Sequence, residues 1–424
     1  MFLLYKIFTI FFFPFFLSII YLRKFLGKED NIRFKEKIFI SHFKPISVGK
    51  NTLIWFHCAS IGEIMSIIPI IDEIKKNNNK IKILITTVTL SSGKIIEKKF
   101  SYNSNILHRY FPLDAPHLVK KFIDIWNPNL VAFVDSEIWP NFINEIKKRK
   151  IPLALINGRI TKKTFDRWKI FDSFSEKIFS SFDVCFASSK ESEKNLKNLK
   201  AKNVKYFGNL KFIPSKNIAP KLENSNKLFL NKHKVWCAAS THEKEEIFCI
   251  KTHIEIKKFH NNILTIIIPR HINRIKNIYL ECKKFNLKTQ ILNDKDTIKE
   301  NTEIILVNSF GFLTMYYDYC KSVFIGKSLI KKLSLVGGQN PIEAAKLGCK
   351  IYHGRYVYNF QEVYNFLKIN NISEEIQNIE ELSSKIIDDL KKPKMINMEN
   401  IKKINFHGME ILEKTIKEIN KMIS

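Results

Sequence analysis

From residue 52 onward, short apolar runs alternate with longer stretches whose apolar positions recur at helical spacing. LIWFHCAS (53–60) has the continuous hydrophobicity of a strand buried on both faces, and IGEIMSIIPIIDEIKK after it reads as a helix. The pattern repeats with IKILITTVT (81–89) before SSGKIIEKKF, and LVAFVDS (130–136) before EIWPNFINEIKKRK. PLALING (152–158) and VCFASS (184–189) continue it. Strands buried on both faces and separated by helices predict a parallel sheet covered by helices, an α/β domain. Residues 213–232 break the rhythm: they are polar, carry two prolines and read as a linker. The series then restarts with VWCAAST (235–241), LTIIIPR (264–270), TEIILVNS (302–309), SVFIGKS (322–328) and KIYHG (350–354). The stretch 373–424 reads as helical, without strand candidates, and as packing across both domains. Two successive α/β domains predict a cleft between them, with ligands outside the C-terminal ends of the strands.

The N-terminal segment is different. Residues 2–22 read FLLYKIFTIFFFPFFLSIIYL, with proline at 14 and a basic flank Arg23-Lys24 directly after. The uninterrupted apolar part, Ile7 to Leu22, is short of the roughly 20 residues that a straight spanning helix needs. No small-residue cleavage site comes after it, so the segment reads as an uncleaved anchor, spanning or interfacial. The basic flank places the rest of the chain on the cytoplasmic side. A buried helix of the first domain is the alternative. The resulting division is 1–30 anchor, 31–215 first domain, 216–400 second domain and 401–424 closing helix.

Composition sharpens the choice. Hydrophobic residues make up 45% of the 424, which excludes a disordered chain. Lys+Arg exceeds Asp+Glu by 29, which points to an anionic partner: a phosphate-bearing substrate, an acidic membrane face or nucleic acid. Saturation with Lys, Ile, Asn and Phe also fits drift in an AT-rich genome. Seven cysteines at wide spacings, with no C-x-x-C, argue against a disulfide framework and against a zinc site. No metal or other cofactor is expected. Nor does any basic-aromatic or helix-turn-helix pattern support nucleic-acid binding.

Candidate chemistry gathers at the strand ends. Glycine is scarce, yet six of the 13 fall between residues 311 and 354. LVGGQNPIEAAKLG (335–348) reads as a glycine turn entering a helix near Asn340, whose amides favour an anion; Pro341 fits the first turn and Glu343 projects toward the cleft. A simple capped turn explains the same residues. There is no G-x-G-x-x-G and no P-loop. Ser60-Ile61-Gly62-Glu63 follows the first buried strand, and a carboxylate there suits either a general base or a helix-dipole partner. Asp135 and Glu137 end another strand beside Trp139, and burying them requires a partner; Lys211 is a candidate. Arg270, in Pro269-Arg270-His271, is placed to grip a phosphate or carboxylate. Ser240 and Thr241 suit capping as well as ligand contact.

Taken together, WFHCASIGE (55–63), ITTVTLSSG (85–93), YFPLDAP (110–116), DSEIWPN (135–141), INGRIT (156–161), FGNLKF (207–212), AASTHEKEE (238–246), PRHINR (269–274), GGQNPIEAAKLG (337–348) and YNFQE (358–362) resemble the 3-deoxy-D-manno-octulosonic acid (Kdo) transferases. These are glycosyltransferases of lipid A assembly in Gram-negative bacteria. The resemblance runs from the N-terminal segment to about residue 370.

It implies a GT-B fold, an inverting mechanism without metal, CMP-Kdo as donor and a phosphorylated lipid A precursor as acceptor, at the inner membrane beside anionic lipids. By the same resemblance the first domain takes the acceptor and the second takes the donor. Glu63 matches the general base. Glu137 and Lys211 match positions that support the transition state. Pro269, Arg270 and His271, with Phe310, Gly311 and Phe312 and with Asn340, Pro341, Ile342 and Glu343, match the CMP-binding stretches. Three features depart from the family pattern: Phe310-Gly311-Phe312 stands for Met-Gly-Glu, Gln339 for a histidine, and Lys331 to Ser334 looks inserted. The alternatives are a GT-B enzyme using another sugar nucleotide on a lipid, and a non-catalytic basic membrane-binding protein.

Overall fold

The predicted apolar runs become the central strands of two parallel sheets. The structure, a computed structural model, describes residues 1–43, 51–101, 103–214, 222–309, 313–391 and 398–423. The chain forms two units: Met1–Lys216 together with His407–Ser424, and Asn217–Phe406.

In the first unit the strands are β1 (Leu53–Cys58), β2 (Lys82–Thr87), β3 (Ile106–Tyr110), β4 (Leu130–Val134), β5 (Leu153–Gly158), β6 (Val184–Ala187) and β7 (Val204–Tyr206). They form one sheet in the order β3-β2-β1-β4-β5-β6-β7. Every side chain of β1, β4 and β5 is buried, which explains their unbroken hydrophobicity. Trp55 of β1 anchors the core, with Phe122, Phe133 and Phe142 rings 5.1–5.9 Å from its own.

The second unit repeats the plan. Its strands are β8 (Lys234–Thr241), β9 (Ile263–Pro269), β10 (Thr289–Leu292), β11 (Ile304–Val307), β12 (Ser322–Ile325), β13 (Lys350–His353) and β14 (Ser373–Glu375). Their order is β10-β11-β9-β8-β12-β13-β14. Trp236, Ile267, Leu306, Phe324 and Tyr352 fill its core.

Three sequence expectations change. The stretch from 373 contains a strand, β14, paired in parallel with β13. The polar stretch 213–232 contains a helix, Asn224–Asn231, whose Leu230 is buried; residues 215–221 of that stretch lie outside the described residues. The closing helix starts at Met398 and runs to Ile423, and from His407 it belongs to the first unit.

The N-terminal segment is two helices, α1 (Phe2–Phe11) and α2 (Phe13–Phe25), bent by 54°. Pro14 sits in the first turn of α2, where its missing N–H breaks no helical bond but cannot continue α1. No single helix among the described residues is long and apolar enough to cross a bilayer; the two meet that measure only together, across the bend. The first unit holds α1 through polar contacts. Tyr5 donates to Asp114 (2.8 Å), and the Asn141 amide donates to Thr9 Oγ1 (3.1 Å) and to the Asp114 carbonyl (2.6 Å). Ile20 of α2 packs on Phe34 and Ile38. The other face leaves Leu3, Phe11, Phe15, Leu22 and Phe25 exposed, Phe25 at 88%.

Candidate functional site

A parallel sheet opens a crevice where its strand order reverses, because the neighbouring connections leave in opposite directions. In the first unit that point is between β1 and β4, paired from Ile54↔Leu130 to His57↔Phe133. The two connections that leave it carry Glu63 and Glu137.

Glu63 lies in the first turn of α3 (Ile61–Asn77), whose N-cap is Ser60. Its carboxylate accepts from the Ala59 N–H (2.6 Å) and the Ser60 hydroxyl (2.7 Å), while its own N–H reaches Ser60 Oγ (3.4 Å). This is a reciprocal cap of the S-x-x-E type, so the helix-dipole role and an active-site position coexist in one residue. Burial pushes its pKa up to about 7, helped by the charges of Asp135 and Glu137 against the lowering effect of its hydrogen bonds. The side chain is half-buried. Lys211 brings its ammonium beside Gly62, with Nζ 4.0 Å from where a Cβ on that glycine would stand.

Glu137 is held by His57 and Trp139. His57 Nε2 is 3.2 Å from Glu137 Oε2, and the Trp139 indole donates to the same oxygen at 2.8 Å. A directed chain leads up to this pair. The Trp55 indole can only donate, and it donates to Thr86 Oγ1 (2.9 Å). The Thr86 hydroxyl lies 2.9 Å from His57 Nδ1; because the Glu137 carboxylate can only accept, the proton of the neutral imidazole sits on Nε2 and Nδ1 accepts from Thr86. His57 is fully buried and stacked on Phe111 at 3.7 Å, and burial holds its pKa below the ordinary range. Burial also works against the Glu137 anion, but the His57 and Trp139 donors outweigh it and lower its pKa. Asp135 stands beside them with φ +60°, its carbonyl accepting from the Arg159 N–H at 3.1 Å. The site thus combines one carboxylate near neutrality with another held as an anion.

In the second unit the order reverses between β8 and β12, paired through Ala239↔Ile325. Pro269 is buried at the end of β9, opposite Thr241. Arg270 follows it, exposed, its N–H donating to the Thr241 carbonyl (3.0 Å). His271 stacks on His242, with ring centroids 5.4 Å apart and planes 19° apart. Burial, with the charges of Lys327, His271, Arg274 and Arg270, depresses His242 to about 4. Of these residues, Arg274 is bound through two nitrogens to Glu246 (2.7 and 3.3 Å).

The glycine turn is tight. A Cβ on Gly337 would stand 2.3 Å from the Tyr356 carbonyl oxygen, and Gly338 has φ +85°. The helix after it is only Ile342–Lys346, and the Asn340 side chain before it accepts from the Ile342 N–H at 3.2 Å. Pro341 and Ile342 are buried, so the Ile342 side chain belongs to the core, and Glu343 is exposed. Phe310, Gly311 and Phe312 lie outside the described residues. Among the described residues, no group of three or more His, Cys, Asp or Glu could hold a metal ion.

Sequence reasoning missed His57 and Glu245. His57 had one signal, an imidazole inside an otherwise apolar strand. Glu245 looked like one acid of an ordinary Glu-rich helix. In the fold it is buried and accepts from the N–H groups of His242 (2.9 Å), Lys327 (2.6 Å), Ser328 (2.8 Å) and Leu329 (3.0 Å).

Two Rossmann-like units, each with polar groups gathered at its switch point, define the GT-B class of glycosyltransferase fold. HepE from Anabaena in complex with UDP shares it at TM-score 0.57 and 11% identity, over 87% of this chain and all of its own. The UDP-GlcNAc 2-epimerase from Neisseria meningitidis bound to UDP-GlcNAc shares it at 0.50 and 14%, over 86% of this chain and 99% of its own. Residues 33–213 match the sequence profile of the 3-deoxy-D-manno-octulosonic-acid transferase (kdotransferase) family. The 3-deoxy-D-manno-octulosonic acid transferase of Rickettsia bellii is 31% identical over 343 residues, 80% of this chain and 79% of its own. That of Haemophilus influenzae is 27% identical, over 72% of this chain and 71% of its own. The chain belongs to the Kdo transferase family and is a glycosyltransferase.

Proposed function

We propose that the protein transfers Kdo from CMP-Kdo to a sugar hydroxyl of a phosphorylated lipid A precursor, with inversion at the anomeric carbon. The acceptor oxygen attacks that carbon as the bond to the CMP phosphate oxygen breaks. CMP leaves with the bonding electron pair, and the hydroxyl proton passes to Glu63. Glu137 and Lys211 support the transition state beside it, and the second unit holds the nucleotide at Arg270, His271 and the Asn340–Glu343 turn. The observation that carries this reading is Glu63 itself: a half-buried carboxylate at a switch point, with a pKa near 7, suited to taking a proton at neutral pH. Incubating purified protein with CMP-Kdo and the precursor should give the Kdo adduct by mass analysis, and UDP-sugars should give none. Transfer from a UDP-sugar alone would indicate another donor, and no transfer from either would favour the non-catalytic reading.

The same proposal gives α1 and α2 a place. The exposed apolar face of the bent pair, with Arg23, Lys24 and Lys28 at its end, suits an in-plane seat at an anionic bilayer surface rather than a crossing. The Asp114 and Asn141 contacts tie the pair to the first unit, so that unit would ride at headgroup level on the cytoplasmic side of the inner membrane. Binding to vesicles containing anionic lipid should fall about tenfold or more in the double variant F8D/F11D, measured by sedimentation. Retained binding would move the contact elsewhere.

A further inference from the structure

The loop after β12 carries a residue that neither the motifs nor the proposed nucleotide contacts include. Lys327 has φ +59°, in the left-handed region where a side chain other than glycine, asparagine or aspartate is uncommon. Both of its backbone groups are engaged. Its N–H donates to Glu245 (2.6 Å), and its carbonyl accepts from the N–H of Gly338 (2.7 Å). Lys327 therefore joins the β8 loop, through Glu245, to the glycine turn 337–338. The residues on either side are equally fixed. Gly326 is so close to β8 that a Cβ would stand 2.6 Å from the Ser240 carbonyl oxygen, and the Ser328 hydroxyl accepts from the Gly354 N–H at 2.9 Å. A strained backbone held by this many partners persists where the surroundings over-determine it, and such positions cluster at ligand sites.

The surroundings say what the ligand is. The charges of Lys327 and Arg270 bear on His242, whose ring stacks on His271, so the ends of β8, β9 and β12 bring cationic side chains to one spot. Glu245 is bonded to four backbone amides, and Glu246 to Arg274. His242 is neutral at physiological pH, and its Nδ1 is buried without a hydrogen-bond partner. A concentration of positive charge at a switch point suits a phosphate group.

We propose that Lys327, set in its left-handed turn by Glu245 and Gly338, binds the phosphate of the donor nucleotide together with Arg270 and His271. The inference rests on the reading that the second unit takes a cytidylate donor, and it adds a phosphate-binding residue to that reading.

Glycine is the informative replacement, because K327G removes the ammonium while suiting the backbone angle. Equilibrium titration of the full chain with CMP and with cytidine separates the phosphate from the base. The expected result is a thermal midpoint no lower than wild type, CMP affinity weakened about tenfold or more, and cytidine affinity unchanged. K327R should recover part of the loss. Equal CMP affinity in wild type and K327G would overturn the role of Lys327 and leave the donor reading standing. Equal weakening toward CMP and cytidine would also overturn it, since the effect would then be on the loop and not on the phosphate. If wild type binds no CMP, the donor reading fails and this inference fails with it.

Discussion

Glu63→Gln is expected to reduce turnover by about 10²- to 10⁴-fold, the usual contribution of a positioned general base. Glutamine keeps one acceptor oxygen for the Ala59 N–H, its NH2 can donate to Ser60 Oγ, and it is accepted at the third position of the reciprocal cap, so the fold should change little. The pH profile should agree. With a pKa of about 7, wild-type kcat/KM should rise tenfold per unit below that point and level off above it. The stability sign is opposite. A carboxyl whose pKa is raised in the folded state binds more protons there than when unfolded. The protein should therefore lose stability as pH rises from about 4.3 through 7, and Glu63→Gln should remove that loss. A variant that retains full turnover on the lipid acceptor, or a wild-type profile flat between pH 5 and 8, would remove Glu63 from the chemistry.

Glu245→Ala should produce the largest loss of stability. It leaves the four amide donors of His242, Lys327, Ser328 and Leu329 without their acceptor. Each buried unpaired N–H costs about 1–3 kcal/mol, so the sum should exceed about 4 kcal/mol even if water reaches some of them. Hydrogen exchange resolves the effect locally. The amides of 327–329 should lose protection while β1 and β4 of the first unit keep theirs. Glu245→Gln, with one carbonyl oxygen left, should be intermediate. Unchanged protection at 327–329 in the alanine variant would show that the loop is held by something other than this carboxylate.

The legible part of the fold was the part buried on both faces. Strands such as IILV and LALING read directly because solvent touches neither side. The strands the pattern missed are the four sheet edges: ILHRY, VKY, TQIL and SEE, at β3, β7, β10 and β14. An edge strand is short and partly solvated, so it carries polar residues, and only the neighbouring strand reveals it. Asn224–Asn231 was hidden in the same way, as a polar helix inside a proline-flanked stretch. At the site, Glu63 was legible because its cap is local. The partner of Glu137 was not, because His57 and Glu137 are 80 residues apart and meet only through the pairing of β1 with β4. Lys211, the sequence's candidate partner for Asp135 and Glu137, has its ammonium beside Gly62. Glu245 was unreadable for a further reason: three of its amide donors lie on a loop more than 80 residues downstream.

The closing helix has a consequence for biogenesis. Gly408 approaches the Phe212 carbonyl so closely that a Cβ there would stand 2.2 Å away, and Glu418 pairs with Lys205 at 2.6 Å beside the β7 edge. The first unit is thus assembled from two separated pieces of chain, with the second unit encoded between them. A ribosome that has delivered all seven strands of the first sheet has still not delivered the residues that cover its last edge. The emerging first unit must wait, incomplete, through the translation of about 190 further residues, whereas the second can finish as soon as it is made.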